Sequence, residues 1–427
     1  MAGLVEQTRG AKVWCGVIEA AVLFDPARHE PMNGAPWSEA LARQAIQRWT
    51  DAAFDAFDPA TGWVPHPRDD PESADERRHE IYYGSGGVIW ALQHLVAEGA
   101  IEQRVDFRPF VHGLTDRHLL GLGQPKHGTA SFLLGEAGPL LLEWKLAPRE
   151  ATAARLYQVV QSNLRNPARE QLWGSPGTVL AAIAMAEQTG LPHWAALVQH
   201  AVQIIWDEMQ PIALAGDRWG WEQDLYGRQS VMLGAGHGFV GNVYPAVRGA
   251  ALLAPQQVSD FAARALDMLQ ATALHADGAV NWHPVVTTAE RVHGKLPLVQ
   301  DCHGAPGLIC RLADMPRELS DGPAWDALLL GAGELVWRAG PLVKGVAFCH
   351  GTAGSVMALL KLWRRTEDSL WLGRARSLAM HGIQQVERQR AEHGMGRHTL
   401  WSGDLGMACV LWSCIGGESR FPTLDAF

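Results

Sequence analysis

The chain lacks most of what would tie it to a membrane, a nucleic acid or a disulfide scaffold. Its 427 residues contain no apolar run of about 18, the length a spanning helix needs. The opening stretch MAGLVEQTRGAKVWCGVIEAAVLF has no basic head, proper hydrophobic segment or small-residue cleavage site, so a cytoplasmic protein is expected. Net charge is −9 without a basic stripe, which argues against nucleic acid or an anionic membrane as partner. Six cysteines (Cys15, Cys302, Cys310, Cys349, Cys409 and Cys414) are too few for a disulfide framework in so long a chain. They are left with burial, metal ligation or thiol chemistry. Little alternates with period two, so sheet is a minor component. There is no phosphate-binding loop in a strand–turn–helix context, and no phased carboxylate pair of the kind glycoside hydrolysis requires.

Glycine and histidine are plentiful instead, at 45 and 18 residues, in a chain that is 47% apolar and so able to bury a large core. Eight histidines directly precede glycine: His112, His127, His237, His293, His303, His350, His381 and His393. Six Gly-x-x-Gly anchors, each leading into an apolar stretch, start at Gly84, Gly174, Gly238, Gly304, Gly351 and Gly403. Their second glycines include Gly177, Gly241, Gly307, Gly354 and Gly406, and HGTASFLL from Gly128 reads as a degenerate seventh. Successive first glycines lie 44, 46, 64, 66, 47 and 52 residues apart, room for a helical hairpin per repeat.

Residues 38–57, 256–275 and 367–382 are amphipathic near a 3.6 period and read as outer helices. The alanine-rich segments after the anchors read as inner ones. An all-α array over about 80–415, in one domain 1–427 with no dividing linker, follows. Closure into a ring is expected over an open solenoid or an unrelated helical domain. Glycine lets helix starts approach closely and leaves backbone N–H groups free there. The charged stretch 65–80 is expected to be an exposed loop, and 211–233 and 275–300 to project near the mouth.

If the repeats are equivalent, His127, His237, His303 and His350 ring one end of the bundle with Tyr83, Trp173 and Ser402. Cys302 and Cys349 sit one position further back, in adjacent repeats. Two thiolates and an imidazole suit zinc, whose catalytic sites keep a fourth position open. The spacing leaves open whether His303 or His350 is the third ligand. An open zinc with two thiolates suits activation of an incoming thiol better than hydrolysis.

CHGAPG at 302–307, CHGTAG at 349–354 and GAGHGFVG at 234–241 together resemble the lanthionine synthetase C-like family, the lantibiotic cyclases and their stand-alone relatives. The resemblance implies an α/α toroid of seven inner and seven outer helices with one zinc per chain, held by Cys302, Cys349 and His350. It implies His237 as the catalytic histidine. His303, standing where cyclases carry a tyrosine, is implied to share proton transfer. The implied reaction is attack of an activated thiol on dehydroalanine or dehydrobutyrine, the thiol being a peptide cysteine or glutathione. Lys344, five residues before Cys349, matches a lysine that stand-alone relatives use near glutathione.

Asp301 replaces a common tryptophan, Ser402 a common glutamate, and Leu298 an arginine of the cyclases; Arg291 is too distant to substitute. Asp224 and Glu222 are candidate acidic partners of His237, and Asp224, in a mouth loop, a candidate substrate contact. Rival readings are another zinc-dependent thiol transfer or hydrolysis, and a non-catalytic zinc-containing protein that binds peptide or glutathione.

Overall fold

The computed structural model describes residues 22–69, 71, 76–123, 125–287 and 296–427; Cys15, Arg291 and His293 lie outside them. Outer helix α1 (Glu39–Asp55) precedes inner helix α2 (Ser85–Ala97). The short pair α3 (Arg108–Val111) and α4 (Leu114–Leu122) forms the next outer element, before inner α5 (Ala137–Leu146). Outer α6 (Glu150–Ser162), inner α7 (Ser175–Thr189), outer α8 (Pro192–Asp207), inner α9 (Phe239–Arg248) and outer α10 (Pro255–Thr272) continue the alternation. Inner α11 (Ala305–Leu312) leads through α12 (Arg317–Ser320) to outer α13 (Pro323–Ala339). Inner α14 (Thr352–Thr366), outer α15 (Ser369–His393) and inner α16 (Asp404–Gly416) complete the set.

Each inner helix touches the next, and α16 touches α2. The ring of seven is therefore closed, which excludes the open solenoid. Helix α1 lies on α16 and α15, so an outer helix from before the first anchor sits beside the last repeat. Among the described residues, strand is confined to three antiparallel hairpins of three-residue strands. These are β1 (Gln210–Ile212) with β2 (Arg218–Gly220), β3 (Gln223–Leu225) with β4 (Arg228–Ser230), and β5 (Leu274–Ala276) with β6 (Ala279–Asn281). Also among them, no helix is long and apolar enough to cross a membrane.

The two layers follow from composition. Inner α14 buries all of Thr352 to Leu362, whereas outer α6 buries only Leu156, Val159 and Val160. Helix α1 starts where expected, with Ser38 Oγ accepting from Leu41 N–H at 3.3 Å, and buries Ala42, Ala45, Ile46, Trp49 and Ala53 along one face. Helix α15 continues past the expected end at 382, because Gly382 lies within it, against Met407.

The anchor glycines have a common steric cause. In all seven repeats a Cβ on the second glycine would lie inside 3.0 Å of the carbonyl oxygen six residues earlier: Ile81, Phe132, Gln171, Ala235, Asp301, Phe348 and Leu400. The loop before each inner helix thus folds back onto the helix start. In five repeats the first helical N–H groups donate to that loop, as from Ser85 to Arg78, Glu136 to Thr129, Phe239 to Met232, Thr352 to Gly345 and Asp404 to Arg397. The expectation of free N–H groups there is corrected in part: in these five repeats the loop accepts from one of them.

Three further expectations change. The second repeat is anchored by Gly135 and Gly138, which start α5, and not by Gly128, which lies in a preceding turn. Within 65–80, His66, Asp69, His79 and Glu80 are buried, so the charged stretch is no free arm. For the long connections the expectation changes only in part: β1–β2 packs on α10 and β6 on α13, whereas the β3–β4 tip reaches the site, the Tyr226 and His237 ring centroids being 6.1 Å apart.

The last residues return into the ring. Phe421 meets Phe348 at 4.8 Å and Trp401 at 5.5 Å between centroids, and Asp425 pairs with the buried Lys361 and accepts from Tyr244.

The close approach predicts opposite effects for two glycine-to-alanine changes. Gly307→Ala, which meets Asp301 O and Ala235 Cβ, should destabilise by about 1–3 kcal/mol or more. Gly373→Ala, in α15 with open space around it, should stabilise by about 0.5–1 kcal/mol. Urea unfolding midpoints measure both.

Candidate metal centre and acid–base pair

The turn loops that carry the anchors are laced to one another. Gly236 N–H donates to Cys302 O at 3.2 Å, and Cys302 N–H donates to Cys349 O at 3.3 Å. These bonds join the fourth, fifth and sixth repeats and bring two cysteines 47 positions apart side by side. Cys302 Sγ, Cys349 Sγ and a ring nitrogen of His350 all lie within 4.8 Å of one another. Cys349 Sγ is 3.5 Å from His350 Nε2, and Cys302 Sγ lies 3.8 Å from Gln300 Oε1. Both cysteines are buried, and His350 is half-buried.

Two thiols and one imidazole at this separation match the donors and spacing of a tetrahedral zinc site with one position left open. His303, the alternative third ligand, is not in the cluster. The protein-only electrostatics already favour one thiolate. A hydrogen bond from Cys302, outweighing burial, together with His350 and Tyr82, holds the Cys349 thiol well below its usual range. The Cys302 thiol is pushed up by the same bond and by burial.

Beside this cluster lie two histidines in unlike states. His237 Nδ1–H donates to Glu170 Oε2 at 2.7 Å, and the Glu170 side chain is fully buried. Burial opposes the imidazolium, but the bond and charge of Glu170 outweigh it, and the pKa of His237 is raised. His303, whose ring centroid is 5.5 Å from that of His237, is driven down to about 4 by burial and by the His237 charge. Of the two, His237 is suited to carry a proton near neutrality and His303 is neutral.

Glu170, not Asp224 or Glu222, is the acidic partner of His237. Asp224 faces Lys126 at 3.6 Å, and the Glu222 backbone carbonyl accepts from Arg169. Glu170 stands four residues before Gly174, as Glu80 stands before Gly84. Both carboxylates accept from the backbone N–H just before the glycine, at Trp173 and Tyr83. Comparing the repeats in phase at that position would have found it. Tyr82 was missed for a similar reason: it holds the position of Cys302 and Cys349 in the first repeat, and its hydroxyl bonds Cys349.

His127 does not precede an anchor, since Leu134 does in its repeat, yet it packs against Trp173 and Tyr226. His112, His381 and His393 belong to outer helices. Lys344 lies exposed in the turn before Cys349, with its charge felt at Cys302. Its carbonyl accepts from Arg68 Nη2 at 2.7 Å, and the Arg68 carbonyl accepts in turn from Arg397 Nη2 at 3.3 Å. Asp69 Oδ1 accepts from Arg397 Nε at 2.8 Å and Ser402 Oγ at 3.1 Å, so a carboxylate from another loop occupies the neighbourhood of Ser402. The Asp301 departure has a structural partner: both its oxygens accept from Arg311, at 3.0 and 2.9 Å, and both side chains are 1% exposed. Arg311 also reaches Gln171 Oε1 at 3.0 Å.

Residues 126–426 match the family model described as lanthionine synthetase C-like protein. The chain is 25% identical over 334 residues to "Glutathione S-transferase LANCL1" of Danio rerio, covering 71% of this chain and 74% of that protein. It is 31% identical over 132 residues to "LanC-like protein GCL1" of Arabidopsis thaliana, a match spanning 29% of this chain and only 30% of the plant protein. The fold is similar to that of nisin cyclase, with a TM-score of 0.61 at 14% identity, covering 91% of this chain and 97% of the cyclase.

The His237–Glu170 pair predicts a pH signature. In Glu170→Gln the pKa of His237, followed by NMR, should fall below that of the native protein. Because the folded-state pKa is raised, the pair's stabilisation is full below the ordinary histidine value of about 6.5 and is lost as pH rises through the folded pKa. The stability gap between native and Glu170→Gln protein should therefore be wider at pH 6 than at pH 9.

Proposed function

The chain belongs to the lanthionine synthetase C-like family, and from that premise we propose that it adds a thiol to the β-carbon of dehydroalanine or dehydrobutyrine in a peptide or protein. The convergence of Cys302, Cys349 and His350 beside a protonatable His237 carries this reading. Cys302, Cys349 and His350 would hold one zinc per chain. Bound there, zinc supplies a Lewis acid that lets an incoming thiol lose its proton near neutral pH.

The chain's own residues account for the proton balance. A new bond forms between sulfur and the β-carbon while the alkene π pair moves to the α-carbon and its carbonyl. His237, held as imidazolium by Glu170 through Nδ1, delivers a proton from Nε2 to the α-carbon. The thiol's own proton leaves to solvent, so thiol and alkene combine without a leaving group. Neutral His303, its ring centroid 5.5 Å from that of His237, shares this proton transfer. Burial of Glu170 keeps its carboxylate on His237 instead of on water.

The thiol donor is a peptide cysteine or glutathione. Lys344 and Arg68, on one side of the mouth, suit a donor bearing carboxylates, and the printed name of the Danio rerio relative favours glutathione. The five described cysteines are all free, which fits a reducing cytoplasm.

Metal analysis should find one zinc per chain, lost in Cys349→Ala. Mass spectrometry of a dehydroalanine peptide with glutathione should show the adduct; conversion without mass change would instead identify ring closure onto a peptide cysteine. His237→Ala should keep zinc and slow the reaction by about 10²–10⁴-fold. Full zinc occupancy with neither product would identify a binding protein.

A further inference from the structure

The mouth has two unlike halves. Toward the sixth and first repeats it carries Lys344 and Arg68, while Arg397 beside them is paired with Asp69. Toward the second to fifth repeats a chain of rings runs Trp173, His127, Tyr226, His237, His303, with successive centroids 6.0, 6.1, 6.1 and 5.5 Å apart. Only the last two rings enter the proton chemistry above. The other three continue the chain from His237 through Tyr226.

Tyr226 stands at the tip of β3–β4, with φ of 53° followed by 75° at Gly227. The left-handed turn is one that residues other than glycine, asparagine and aspartate seldom enter. The residue is nevertheless 63% exposed, so its own burial does not explain its presence there. The hairpin is pinned at its base. Asp224 N–H donates to Pro167 O at 3.0 Å, and the Gln223 amide donates to Arg169 O at 3.2 Å. At the tip, Trp173 Nε1–H donates to Tyr226 Oη at 3.4 Å. His127 is 9% exposed, and its buried Nε2 has no hydrogen-bond partner.

We propose that Trp173, His127 and Tyr226 form a subsite for an aromatic or large aliphatic side chain flanking the dehydroamino acid in the peptide substrate. The proposal rests on the thiol-addition reading and deepens it by naming the peptide the site prefers. Ring faces and edges receive apolar and aromatic groups. Glutathione has no large apolar side chain and suits the cationic half. Continuity of the three rings with His237 places the flanking residue next to the reacting carbon.

Calorimetric titration of the zinc-loaded protein with inert peptides, in which alanine replaces dehydroalanine, tests this without any turnover. Peptides carry Phe, Leu, Gly or Asp immediately before or after that alanine. At one of the two positions, Phe should bind about 3- to 10-fold more tightly than Gly. Tyr226→Ala and Trp173→Ala should reduce that ratio below about 2-fold, and Tyr226→Phe should retain most of it. Equal affinities for Phe and Gly peptides at both positions, or an unchanged ratio in Tyr226→Ala, would overturn the subsite. Selective binding with no adduct from the corresponding dehydroalanine peptide would instead contradict only the thiol-addition reading.

Discussion

Every inner helix of this ring begins where the chain has just turned back on itself, and the space a β-carbon would fill at the second glycine is taken by a carbonyl six residues upstream. That close approach sets the direction of the residues just before each helix. It also lets neighbouring loops exchange backbone hydrogen bonds, as Gly236 does with Cys302 and Cys302 with Cys349. The centre is a by-product of this repeated turn. Cysteine at the same position of two adjacent repeats, with histidine after it, yields a donor cluster that no single loop could build.

The polar groups divide into those that shape the centre and those that set the charge beside it. Asp301, Arg311 and Gln171 form a buried network directly beneath Cys302. Breaking one partner of such a pair typically costs about 3–5 kcal/mol, so this network constrains the loop that holds the cysteine. Glu170 and His237 do the opposite job. Their bond keeps a charge available at the mouth, while burial strips it from His303 a short distance away. Two histidines of the same repeat position thereby have their proton affinities shifted in opposite directions by their surroundings alone.

Much of this was legible in the sequence because the repeat supplies phase. The ring of inner and outer helices, the two cysteines and the candidate histidines follow from reading equivalent positions together. Where the phase was misread, the reading failed. Gly128 looked like an anchor because His127 precedes it, whereas GEAG at 135–138 has the required pair of glycines but a leucine before it. Glu170 is hard to see in the sequence because it lies outside the mouth loops, four residues before Gly174, a position shared only with Glu80 before Gly84. The Asp69 contact to Ser402 joins residues 333 positions apart and left no local pattern to read.

The account stands on Cys302, Cys349 and His350 sharing one metal with a position left open. X-ray absorption at the zinc edge of the loaded protein tests this most directly. The expected first shell holds two sulfurs at about 2.3 Å and one imidazole nitrogen at about 2.0–2.1 Å, plus one light, exchangeable ligand that a bound thiol replaces with a third sulfur. A shell without sulfur, or one already closed by four protein ligands and unchanged by added thiol, would contradict it.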